Sequence, residues 1–119
     1  MAPCELLFPE AARLRAAWRI ASGEPRAGDE ALAIIDELLT RRTSAGHYLA
    51  RAEAARLAGR TEYAWASLLR FADLLPGEQA RPLAPRALEV ARTLEARSSS
   101  SMETIERLER AAGSGARGF

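Results

Sequence analysis

The chain has 119 residues, a length that fits one domain and buries enough surface to fold without disulfide or metal staples. Apolar types make up 48% and charged types 28%, which excludes a disordered or collagen-like chain. A net charge of +1 gives no strong field to draw nucleic acid or anionic lipid. All 17 basic residues are Arg, as a GC-rich bacterial gene would give, and Val and Ile together number only five. Ala, Leu, Arg and Glu lead the helix propensity scale, and so few β-branched residues make a sheet improbable. The expected fold is therefore all-α.

The opening residues lack a basic n-region and an apolar run of signal-peptide length. No window approaches the roughly 18 apolar residues of a membrane span. A single Cys, Cys4, excludes an intrachain disulfide. These features point to a cytoplasmic setting.

Apolar spacing predicts six helices. The first runs from about Pro9 to Ser22, with Ala11, Leu14, Trp18 and Ala21 as its stripe, and stops in Ser22-Gly23-Glu24-Pro25. The second is expected after Gly28, with Asp29 as N-cap and Ala31, Ile35, Leu38 and Leu39 facing inward. Thr43 or Ser44 caps the third, which carries Tyr48, Leu49, Ala52 and Ala55 and ends at Gly59. The fourth begins near Thr61, holds Ala64, Trp65, Leu68, Phe71, Ala72 and Leu75, and closes at Pro76-Gly77. Pro85 suits the first turn of a fifth helix bearing Leu88, Ala91 and Leu94. The Ser run 98–101 reads as a flexible connector whose last member caps a sixth helix with Met102, Ile105, Leu108 and Ala112. Residues 1–112 are expected to form the domain and residues 113–119 a flexible tail.

The even-numbered helices repeat. A shift of 33 residues lays Ala31, Ile35 and Leu38 over Ala64, Leu68 and Phe71. A further shift of 37 puts Met102 on Trp65, Ile105 on Leu68 and Leu108 on Phe71. Helix pairs recurring at such a period are the signature of a solenoid, in which each pair buries its face on the next.

From Tyr48 to Pro76 the chain resembles a tetratricopeptide repeat, a helix–turn–helix unit of about 34 residues. Tyr48 stands at the early aromatic position, Ala52 and Ala64 at the small positions where helices cross, and Gly59 in the turn. Leu68 and Phe71 occupy the next packing positions and Pro76 the closing proline. The first pair matches moderately through Trp18, Ala31, Ile35 and Leu38, and the third poorly, giving about two and a half repeats. The resemblance implies a groove lined by the first helix of each pair, holding a peptide or helix of a partner protein. Carried over position by position, its lining would be Leu49, Glu53, Arg56 and Leu57 in the middle repeat, Arg13 and Ile20 in the first helix, and Arg86 and Glu89 in the fifth. Glu53 and Arg56 could equally form a structural pair at i, i+3. The family's carboxylate clamp depends on Lys and Asn, and this chain has neither.

Residues with catalytic chemistry are sparse. His47 is the only His, and it reads as a solvated residue at a helix end. No phosphate-binding loop, nucleophile elbow or zinc motif occurs, so no enzymatic activity, metal or cofactor is expected. Arg13, Arg15 and Arg19 in the first helix leave nucleic-acid binding as the alternative to protein recognition. With no seventh helix to cover Met102, Ile105 and Leu108, and Leu6-Leu7-Phe8 ahead of the first helix, the chain is expected as a homodimer or hetero-complex. Small chaperones of bacterial secretion systems are similar in architecture. The sequence thus predicts a non-catalytic adaptor, assembly factor or chaperone.

Overall fold

The computed structural model describes residues 9–75, 77–94 and 98–116, with side chains placed from residue 15 to residue 113 of these. Among them the chain is all-α: α1 (Pro9–Ala21), α2 (Pro25–Arg41), α3 (Ala45–Leu57), α4 (Thr61–Asp73), α5 (Ala84–Thr93) and α6 (Ser99–Ala116), with a 3-10 turn at Arg81–Leu83 before α5. Cys4, Leu6-Leu7-Phe8 and Pro76 lie outside the described residues.

The helix ends follow from local chemistry, with three shifts from expectation. Gly23 takes a left-handed φ of +76° and ends α1 as expected. Pro25 then opens α2 rather than merely closing α1. It sits in the first turn, where its missing N–H costs nothing and its fixed φ is already helical. Asp29 is therefore inside α2, where it pairs with Arg60 at 3.1 Å, and the extended Glu24 is the N-cap residue. At the sixth helix Ser98 is the cap: its Oγ accepts from the Ser101 backbone N–H at 3.2 Å, so the rest of the Ser run forms the first turn. The same helix continues past Ala112 to Ala116, into the stretch expected as a flexible tail.

Ser44 caps α3, accepting from the His47 N–H at 3.4 Å. Between α3 and α4, Gly59 turns with φ +78°, and the Arg60 N–H reaches back to the Ala55 carbonyl at 2.8 Å. That bond closes the helix end in the manner of a Schellman motif.

The helices pack as a repeat. α1 packs on α2, α2 on α3, α3 on α4 and α5 on α6, while α1 and α5 both touch α3 and α6 touches α4. α4 and α5 meet at only a few points. Positions related by the sequence shifts share burial: Ala31, Ala64 and Ser101; Ile34, Ser67 and Thr104; Leu38, Phe71 and Leu108 are all buried. Ile35 and Leu68 are buried too, and Ile105 is half-buried. The three hydroxyl residues were not expected inside. Ser67 and Thr104 donate to the carbonyls of Tyr63 and Ser100, each at 2.8 Å, so their polar atoms are satisfied within the helix.

Two apolar residues of the expected α1 stripe, Trp18 and Ala21, lie outside the core. Trp18 is 85% exposed, and Ala16 turns inward instead. The stripe that includes Trp18 and Ala21 is one register away from the face that α1 presents to α2 and α3. On α6 most of the apolar side turns onto the core: Leu108 is fully buried, Ile105 is half-buried, and Met102 stands out at 57% exposure.

A candidate binding groove along the third helix

α3 lies between α1 and α5, whose backbones do not approach each other closely among the described residues. The repeat period places Ile20, Glu53 and Arg86 at equivalent positions on these three helices, 33 residues apart. Gly46, Ala50, Glu53 and Leu57 share one face of α3 by their i, i+3 and i+4 spacing. Gly46, Ala50 and Leu57 are half-buried, and Ile20 packs with Ala50 against the same cluster as α2.

Of the residues expected to line a groove, the fold joins two. Arg86 Nε lies 2.8 Å from Glu53 Oε1, and Arg86 Nη2 donates to Glu53 Oε2 at 3.0 Å. The partner of Glu53 is thus Arg86 on the next repeat rather than Arg56. Arg56 and Glu89 are exposed, and Leu57 and Ile20 are half-buried. Leu49 packs in the core with Leu68 and Phe71 and offers no open surface. Arg13 lies on α1, but its side chain is outside the described residues.

A second polar cluster ties α2, α3 and α4 together. The Arg51 guanidinium sits between the rings of Tyr48 and Tyr63, 5.0 and 4.9 Å from their centroids. Its Nε donates to Ser67 Oγ at 2.8 Å, and Nη1 lies 3.7 Å from Asp36 Oδ1. The Tyr63 hydroxyl lies 2.8 and 2.9 Å from the two Asp36 oxygens and donates to that carboxylate. Sequence reasoning missed this group. Tyr48 and Arg51 at i, i+3 were a visible signal, but nothing in the sequence joins Asp36 to Tyr63.

Burial first, and then the bond to Asp36, push the Tyr63 phenol above its ordinary value of 10.0. The fold therefore favours the neutral phenol. That contribution is present in full below the unfolded value and fades as pH rises through the higher folded value. Tyr63→Phe is expected to cost about 1 kcal/mol near neutral pH and to flatten the alkaline loss of stability. Urea melts of both proteins at about pH 8 and about pH 11 check this; equal losses between the two pH values would contradict it.

The other polar side chains with possible chemistry have structural partners. His47 is buried, not solvated, with Nδ1 3.4 Å from the Arg42 carbonyl. Arg19 pairs with Glu30 at 2.8 Å, which takes one cation from the cluster on α1. Asp36 and Glu37 diverge, Asp36 to Tyr63 and Arg51 and Glu37 toward Arg41 at 4.0 Å. No group of three or more His, Cys, Asp or Glu able to hold a metal occurs among the described residues. None of their helices is long and apolar enough to cross a membrane. An open cleft of about 400 Å³ lies where the start of α3 meets the loop after α4, lined by Thr43, Ser44, Glu78 and Gln79 among others. No protein-family model, curated protein or solved structure matches the chain, so its functional reading rests on these residues.

Proposed function

We propose that the chain is a non-catalytic binding module, similar to tetratricopeptide repeats, that holds a peptide or helix of another protein along α3 between α1 and α5. Its role is that of an adaptor, assembly factor or chaperone. The observation that supports the reading is the stripe of small residues on α3, Gly46 and Ala50, flanked by two helices whose described backbones stay apart. Small side chains between taller neighbours let an extended segment or a helix approach the α3 backbone closely. The Glu53–Arg86 pair gives that floor a polar centre beside the apolar Ile20 and Leu57.

Ala50→Trp tests this by filling the floor from a half-buried position. A random peptide library displayed on phage is selected on the intact protein. Selected peptides are expected to bind it and to lose binding to the Ala50→Trp variant, whose circular dichroism should match the parent's. Peptides that bind both proteins equally would place recognition elsewhere and refute the groove.

A further inference from the structure

The pairing of Glu53 suggests what kind of residue the groove receives. The Glu53 side chain is 10% exposed, whereas its counter-ion Arg86 is 63% exposed. A carboxylate held away from water needs directed donors on both oxygens. Arg86 supplies one, from Nη2 to Oε2 at 3.0 Å. Its Nε comes within 2.8 Å of Oε1, but Oε1, itself shielded from solvent, receives no aligned hydrogen bond. The acceptor is thus fixed and buried on α3, while the donor is a long side chain standing mostly in water on a neighbouring helix.

From this we infer that the groove takes a segment carrying a lysine or arginine, whose side chain replaces Arg86 on the Glu53 carboxylate. The inference rests on the groove reading above. Two features ease the exchange. Released Arg86 regains water around a group that is already largely hydrated. The incoming cation, approaching over the small residues Gly46 and Ala50, can align a donor with Oε1. Arg86 is then a tethered stand-in for the partner's basic residue, and it competes with the partner for Glu53.

Peptides from the phage selection test the inference through fluorescence polarisation with the intact protein and two variants. Selected peptides are expected to share a Lys or Arg. Their affinity should fall about tenfold on Glu53→Gln, which keeps the shape and removes the charge, and rise several-fold on Arg86→Ala, which removes the competitor. Peptides that Ala50→Trp blocks, but that carry no basic residue or bind Glu53→Gln unchanged, would overturn this inference and leave the groove standing. Absence of any peptide sensitive to Ala50→Trp would overturn both. If Glu53→Gln fails to fold, Arg86→Ala decides alone: tighter binding supports the exchange, and unchanged or weaker binding refutes it.

Discussion

Phe71→Ala is expected to lower stability by about 3–5 kcal/mol, a large fraction of the roughly 5–15 kcal/mol that holds an ordinary domain together. Phe71 is fully buried and is the largest such side chain among the described residues. Its cluster draws Leu49 from α3, Leu68 from α4, Leu88 from α5 and Leu108 from α6. The ring therefore belongs to a core that four helices share. Leu69→Ala is the control. It lies two residues away on the same helix but is 37% exposed, and it should cost less than about 1 kcal/mol. Urea midpoints of the two variants against the parent give the comparison. A loss below about 1 kcal/mol for Phe71→Ala would mean the core is not organised around this residue.

Gly28→Ala should destabilise by about 1 kcal/mol although it adds a better helix former. Gly28 lies in the first turns of α2, and a Cβ there would stand 2.8 Å from the Ala58 nitrogen and 2.9 Å from the Ala54 carbonyl oxygen of α3. Both are backbone atoms, so no side chain can rotate away and the helices must separate. Overpacking of this kind costs about 1–3 kcal/mol, against roughly 1 kcal/mol gained in helix propensity. A larger residue such as Val should cost more than Ala. Thermal melts of Gly28→Ala and Gly28→Val read the effect, and a variant as stable as the parent would show that α2 and α3 part without strain.

The same glycine shows why the sequence was only partly legible. Gly and Pro read as breakers because each changes the backbone, and at Gly23 and Gly59 that reading held: both take positive φ. At Gly28 the residue serves a crossing between helices, which no local pattern reveals. Pro25 was misread for a related reason, since proline before a helix and proline after one look alike until the following turn is known. The all-α class was plain because apolar residues recur at helical spacing, and the repeat of even helices because apolar positions recur at the longer period, as Leu38, Phe71 and Leu108 do. Trp18 shows the limit of that method. A short helix with apolar residues on two sides has two candidate inner faces, and the choice falls to its neighbours, which bury Ala16.

The candidate groove was legible as a set of positions but not as pairings. The repeat spacing brought Glu53 and Arg86 forward separately, and only the stacking of α5 on α3 turned them into a pair. The position-by-position resemblance puts Leu49 in the groove, yet the turn of the helix carries it to the core side.

The sparse contact between α4 and α5 bears on how the chain matures as it is synthesised. Through the first four helices, each new segment leaving the ribosome meets a finished neighbour directly behind it, and the pairings are local ones that form quickly. With so little of α4 to rest on, α5 settles on α3 and must await α6, its main packing partner. Only when α6 arrives, laying Arg107 against Asp73 at 3.2 Å and the Ala72 carbonyl at 2.8 Å, is the last pair anchored to the older part of the molecule. A nascent chain arrested before residue 99 would therefore hold its final helix like an unlatched door.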